Sequence, residues 1–314
     1  GEQALVFLNR RGYAPVILCH ECGWHGSCQR CDANMTWHKA THRLLCHHCD
    51  SSMRIPVMCP DCGADALQGA GEGTEQLEQI LTRTFPETPL LRFDRDTVRR
   101  KGEFDRLSEQ VKTGESCLLV GTQMLAKGHH FPNVTLVAVL DADQGLFSTD
   151  FRAGERMAQL IIQVAGRAGR ADKPGEVVIQ THHPDHPLLQ QLVEEGYPAF
   201  ANAALEERRE TGLPPYASMA LLRAEATAAA LPRAFLEQAR LLAEPFAGNS
   251  VQLWGPVAAP MERRAGRYRA QLLVQTAQRT ELQRLLKQWI PQLETLKDIR
   301  RVRWSIDVDP IDTY

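Results

Sequence analysis

Short apolar, β-branched-rich runs at 4–8, 90–93, 117–120, 134–140 and 176–179 alternate with stretches whose apolar positions recur every three to four residues, at 75–84, 102–113, 154–167 and 186–210. Runs that short and that continuously apolar suit strands buried on both faces. Their alternation with helical stretches predicts an α/β fold, a parallel sheet with helices on both sides. The segment 16–66 breaks this rhythm directly after the first strand and reads as an insertion. A Pro-rich break at Leu213, Pro214, Pro215 and Tyr216 changes the pattern again. Beyond it, strand-like runs at 218–226, 251–256, 268–276 and 302–308 enclose helical stretches at 232–246 and 279–296. The order βαββαβ predicts a split βαβ, ferredoxin-like α+β domain. Three parts are therefore expected: 1–15 with 67–212, then 16–66, then 217–314.

The 314 residues suit more than one core. With 43% hydrophobic and 24% charged residues the composition is that of an ordinary globular chain. A formal net charge of −2 excludes a uniformly basic nucleic-acid binder, so any such surface is local. No run approaches the roughly 18 apolar residues of a membrane span. The N-terminal residues do not form a signal peptide. They lack an initiator methionine and enter a strand almost at once, so a fragment of a longer protein is expected.

Eight of the nine cysteines change the picture most. Cys19 and Cys22, Cys28 and Cys31, Cys46 and Cys49, and Cys59 and Cys62 form four CxxC pairs, while Cys117 stands alone in an apolar run. A CxxC turn points two sulfurs at one point, and two turns complete a tetrahedron around Zn²⁺. A disulfide scaffold fits small secreted chains, and a redox CxxC usually occurs once. Two closed four-thiolate sites, structural and without a catalytic position, are expected. Of three possible pairings the nested one is favoured. Cys28 and Cys31 with Cys46 and Cys49 nearly match zinc-ribbon spacing, which leaves Cys19 and Cys22 to Cys59 and Cys62. Six histidines (His20, His25, His38, His42, His47, His48) share the segment, but eight thiolates already fill two sites. Trp24 and Trp37 suit either base stacking or a miniature core, with core the stronger reading for at least one.

Two loops of the α/β part carry further chemistry, as expected at the carboxyl ends of a parallel sheet. Thr122 and Gln123 follow one strand and lead into Lys127 and Gly128. A helix containing Gln163 closes in Gly166, Arg167, Ala168, Gly169 and Arg170. Two guanidiniums three residues apart share a helix face, and small neighbours let them reach a phosphate. Helix C-capping is the competing role for Arg167 and Arg170. In the C-terminal part, eleven Lys or Arg stand against four acids between Glu262 and Arg303. The loop holding Arg263, Arg264 and Arg267 could wrap phosphates, or be a solvated hairpin tip.

The stretch from Gly121 to Asp143 resembles motif V, and QVAGRAGR resembles motif VI, of the second RecA-like lobe of superfamily 2 helicases. With the zinc insertion, FLNRRGYAP before it and GEGTEQLE after it, the chain is similar to the C-terminal part of the primosomal replication-restart helicases. The resemblance spans essentially all 314 residues. It implies a RecA-like, P-loop-NTPase-type second lobe interrupted by a two-zinc ribbon module and followed by an α+β domain. It further implies ATP-dependent, 3′→5′ unwinding of forked DNA and primosome loading. The implied partners are forked or single-stranded DNA, single-stranded-DNA-binding protein and other primosome proteins, in the cytoplasm at the nucleoid.

By the same resemblance Arg170, with Arg167, acts as the arginine finger, and Gln163 positions the γ-phosphate or the attacking water. Thr122 and Gln123 contact the DNA backbone, while Lys127 and Gly128 belong to a loop that approaches nucleotide or DNA. Asp141 and Asp143 read as lobe-interface groups. No segment fits a P-loop or an acidic Mg²⁺ motif. ATP and Mg²⁺ are thus expected only together with a first lobe, and the chain alone is expected not to hydrolyse ATP. The competing readings are a non-enzymatic zinc-ribbon DNA-binding scaffold, which leaves motifs V and VI unexplained, and an RNA helicase or duplex translocase.

Overall fold

The computed structural model describes residues 2–8, 16–38, 42–70, 74–93, 102–122, 125, 131, 133–143, 150–168, 174–296 and 300–312. In chain order, β1 (Gln3–Leu8) is followed by the cysteine-rich elements β2 (Val16–Cys19), β3 (Thr36–His38), β4 (Arg43–Leu45), β5 (Ser52–Arg54) and β6 (Leu67–Ala70). Next come α1 (Thr74–Thr84), β7 (Leu90–Phe93), α2 (Glu103–Lys112), β8 (Cys117–Gly121), β9 (Val134–Leu140), α3 (Ala153–Ala165), β10 (Glu176–Ile179), α4 (Pro187–Glu194) and α5 (Tyr197–Glu210). The remainder is β11 (Ser218–Ala226), α6 (Ala230–Ala247), β12 (Val251–Arg264), β13 (Arg267–Thr276), α7 (Arg279–Leu293) and β14 (Arg303–Val308). Contacts divide the chain into two compact units, Gly1–Pro15 with Gly71–Ala204, and Val16–Ala70 with Leu205–Tyr314.

The first unit is built on a parallel sheet of order β10-β9-β1-β8-β7. β1 is central, and its apolar run buries Leu5, Phe7 and Leu8 almost completely. Its buried polar side chain is half satisfied: Gln3 Nε2 donates to the carbonyls of Val111 at 2.8 Å and Glu115 at 3.0 Å, tying the strand to the end of α2, while Gln3 Oε1 is buried without a hydrogen-bond partner among the described residues. Met157, Ala158, Ile161 and Val164 recur at helical spacing and turn one face of α3 into this core. The helical pattern at 186–210 forms two helices and not one. Gly196 adopts φ 82°, outside the helical range, and Pro198 suits the first turn of α5.

The second unit joins the cysteine-rich segment to the C-terminal sheet. β11, α6, β12, β13, α7 and β14 form an antiparallel sheet of order β12-β13-β11-β14. Strict alternation puts Ala270, Leu272 and Val274 of β13 against the two helices and their neighbours Arg269 and Gln271 on the other face. Trp289 is fully buried between the helices, and its indole Nε1 donates to Ala239 O at 2.7 Å. A buried Trp of that size contributes roughly 5 kcal/mol of apolar burial. The cysteine-rich segment runs four residues past its expected end, because β6 pairs antiparallel with β2 and closes a stem, Cys19 opposite Leu67.

Candidate metal centres and phosphate-binding residues

The structure makes the nested pairing. Sulfurs of Cys19, Cys22, Cys59 and Cys62 lie within 4.8 Å of one another, as do those of Cys28, Cys31, Cys46 and Cys49. Individual Sγ separations are 3.7 Å for Cys19 to Cys62, 3.5 Å for Cys22 to Cys59 and 3.7 Å for Cys28 to Cys49. Tetrahedral zinc with Zn–S bonds of about 2.3 Å places sulfurs about 3.8 Å apart, whereas a disulfide needs about 2 Å. Both clusters are structural zinc sites, and no histidine joins either among the described residues. Held there, zinc cross-links chain segments too small to build a core of their own.

Three of the four CxxC turns close on themselves. Gly23 donates to Cys19 O, Gly63 to Cys59 O and Asp50 to Cys46 O, each at 2.8–2.9 Å. All three donors take left-handed backbones, φ 78°, 73° and 56°. The second site is shaped by Ser51, whose hydroxyl lies 3.0 Å from Cys49 Sγ and holds that thiol down to about 6. Trp24 and Trp37 both pack against the miniature core of Ile17, Met35 and Leu44. The Trp37 ring lies so close to Gly69 that a Cβ there would stand 2.5 Å from it.

The fourth turn, at Cys28 and Cys31, closes on the C-terminal domain. The Asp32 amide donates to Arg263 O at 2.8 Å, and Asp32 Oδ2 accepts the Arg263 amide at 2.5 Å. Gly266 N–H donates to Arg30 O at 2.7 Å, and Ala265 N–H donates to Cys31 Sγ at 3.1 Å. Burial pushes the Cys31 thiol up to about 12, with the Ala265 amide pulling the other way. The β12–β13 turn is therefore no free hairpin tip. Its backbone is committed to the zinc module, the Arg263 guanidinium sits 3.5 Å from Asp32, and Arg267 is 3.8 Å from Glu225. Arg264 stays exposed.

In the parallel-sheet unit, Thr122 is half-buried directly after β8. Gly121 before it has no room for a side chain, since a Cβ would meet Phe93 O at 2.5 Å. Gln163 is exposed on α3, on the face away from Val164 and Ile161. The helix stops at Ala165, so Arg167 lies in a tight turn, its amide on Val164 O at 2.9 Å, and not on a regular helix face. Gln123, Lys127, Gly128 and Arg170 lie outside the described residues. Asp143 is engaged within its own unit by the Thr181 hydroxyl and by the His182 amide at 2.9 Å. Burial works to raise its pKa, yet these bonds and the charges of His182 and His183 hold it below the usual carboxylate range.

Comparison with known proteins supplies the frame. Residues 71–172 match the helicase conserved C-terminal domain, 28–54 the PriA DNA helicase Cys-rich region domain, and 209–311 the primosomal protein N C-terminal domain. Replication restart protein PriA of Haemophilus influenzae is 50% identical over 312 residues, which are 99% of this chain and 42% of that protein. The Bacillus subtilis protein of the same name is 39% identical over 310 residues, 99% of this chain and 38% of its own length. The chain belongs to the PriA family.

It corresponds to the C-terminal part of that family and spans about two-fifths of the length of these relatives. The Cys-rich match contains all four ligands of the second zinc site and none of the first. Asp32, Arg30 and Ala265, which join zinc module to C-terminal sheet, escaped the sequence reading. The one local signal is that Asp32 stands four residues after Cys28, where the first and last pairs carry glycine. No helix of the described residues is long and apolar enough to cross a membrane.

Proposed function

We propose that this chain is the second motor lobe, zinc module and C-terminal domain of an ATP-dependent superfamily 2 DNA helicase that restarts replication at forks. What carries the reading is the parallel sheet whose strand β8 ends at Gly121 and leads into Thr122, with the QVAGRAGR sequence beginning in the last turn of α3 between β9 and β10, in a chain 99% of which is matched by PriA relatives. In this reading the sheet unit is RecA-like and the C-terminal sheet ferredoxin-like. Residues 1–15 and 71–212 form the lobe, 16–70 the zinc module with its closing strand β6, and 217–314 the C-terminal domain.

Arg170 and Arg167 neutralise charge developing on the γ-phosphate, with Gln163 positioning that phosphate or the attacking water. Thr122, Gln123, Lys127 and Gly128 face nucleotide or the DNA backbone. ATP and Mg²⁺ bind only where a first lobe supplies its phosphate loop, so this chain alone does not turn over ATP. The zinc module guides DNA, and Arg264, the most exposed of the three arginines on the β12–β13 turn, contributes positive charge for a phosphate. Unwinding runs 3′→5′, and single-stranded-DNA-binding protein and other primosome proteins are the partners.

The test is Arg170→Ala in the full-length protein, assayed on forked DNA. ATP-driven unwinding is expected to be abolished while fork binding stays nearly unchanged. Wild-type unwinding by that variant would remove the finger assignment.

A further inference from the structure

The face of the C-terminal sheet opposite its helices is charged where β13, β11 and β14 run side by side. Register places Arg269 opposite Glu225 and Glu225 opposite Arg303; the next row holds Gln271, Arg223 and Ser305. These six side chains line a cavity of about 280 Å³. Its carboxylates are already committed. Glu225 lies 3.2 Å from Arg303 and 3.8 Å from Arg267, and Asp307 holds Arg223 at 2.8 Å. Among the described residues no carboxylate reaches ion-pair distance of Arg269, whose one hydrogen bond goes to Met261 O at 3.3 Å. Half-buried, with the charges of Arg264 and Arg223 near, Arg269 is held below the ordinary arginine range, Glu225 offsetting only part of this.

A desolvated guanidinium among like charges costs stability unless something anionic completes it. We infer that the Arg269, Arg223 and Arg303 face of the C-terminal sheet binds the phosphate backbone of a nucleic-acid strand. The guanidinium fork matches phosphate oxygens, and the Gln271 amide and Ser305 hydroxyl add neutral donors. β13 and β14 flank β11, so Arg269 and Arg303 rise from strands about 10 Å apart. A run of phosphates spans that distance and a single small anion does not. Trp304 also borders the cavity, but its ring stacks on Phe235 of the core at 6.3 Å between centroids, so contact is to phosphates and carries no base preference. Docking of the β12–β13 turn on the zinc module brings Arg264 beside this face.

The inference rests on the DNA-binding reading above but uses residues outside motifs V and VI. The zinc-loaded chain is titrated with fluorescein-labelled oligothymidylate by anisotropy at several salt concentrations. Loss of one phosphate contact reduces the log–log salt slope by about 0.7, which is about fivefold in affinity near 0.1 M salt. Arg269→Gln is expected to show that loss, and Lys112→Gln, exposed on α2 beside Glu109, is expected to show none. Phenylglyoxal labelling of the unmutated chain gives a second readout that needs no variant to fold, with Arg269 protected when oligothymidylate is bound. Binding with unchanged slope in Arg269→Gln and no protection would overturn this site and leave the DNA-binding reading standing. No binding by the unmutated chain would overturn both. Protection of Arg269 by polyaspartate and not by DNA would overturn it in favour of a protein ligand.

Discussion

The amide of Ala265 donates a hydrogen bond of 3.1 Å to the Sγ of Cys31, so a residue of the C-terminal domain touches a zinc ligand 234 positions earlier in the chain. Outer hydrogen bonds of this kind fix a ligand's orientation and its charge. Here the bond arrives with four backbone or ion-pair contacts between 30–32 and 263–266, so metal binding and domain docking are one structural event.

Loss of the second zinc should therefore loosen a distant turn. Cys49→Ala is expected to reduce zinc from two ions per chain to one and to accelerate amide exchange at Ala265 and Gly266. The Gly63 amide, at the other site, should keep its protection. Hydrogen exchange read by mass spectrometry checks this, and unchanged exchange at Ala265 would break the coupling.

Asp32→Ala removes the acceptor of the Arg263 amide and the partner of its guanidinium while sparing every cysteine. Because both side chains are partly exposed, the cost is about 1 kcal/mol. Urea unfolding should report it with both zinc ions still bound at the start of the transition. A variant as stable as the parent would mean that the backbone contacts alone hold the turn.

Gly69→Ala puts a methyl group 2.5 Å from the Trp37 ring. Overpacking of this kind costs about 1–3 kcal/mol, and the ring is expected to swing outward. A red shift in tryptophan emission together with a lower melting temperature is the expected pair of results. Neither would appear if the ring were free to move.

Asp143 gives a pH signature. Its folded pKa is depressed, so its contribution is present above the ordinary carboxylate value of about 4 and is lost as pH falls through the folded value. Asp143→Asn keeps one acceptor and loses the other, which leaves the Thr181 hydroxyl or the His182 amide without its partner. Urea midpoints of variant and parent should differ at pH 7 and converge in strong acid. A gap that persists there would assign the effect to packing and not to charge.

Much of this was legible in the sequence. The runs at 90–93, 134–140 and 218–226 are strands with those bounds, because burial of one or both faces writes strand geometry directly into residue type. The run at 176–179 is a strand too, but an edge strand that leaves Val177 and Val178 exposed, so the expected burial on both faces does not hold there. The cysteine pairs dictated their own chemistry, since two-residue spacing alone converges two sulfurs. The break at Gly196 was visible as a residue but not as an event, for a helical period runs on across it when only apolar positions are counted.

What tertiary structure alone decided is the fate of one turn. Gly23, Gly63, Asp50 and Asp32 occupy the same place in their CxxC turns, four residues past the first cysteine. The first three curl back with positive φ and donate to that cysteine's carbonyl; Asp32 turns its amide to Arg263 instead. Local spacing fixes where the sulfurs point because the bonds involved lie within a few residues. It cannot fix where a spare backbone N–H goes when the competing acceptor is 231 residues away, and that choice makes a basic loop, expected to wrap phosphates or to be a solvated tip, the strap between zinc module and sheet.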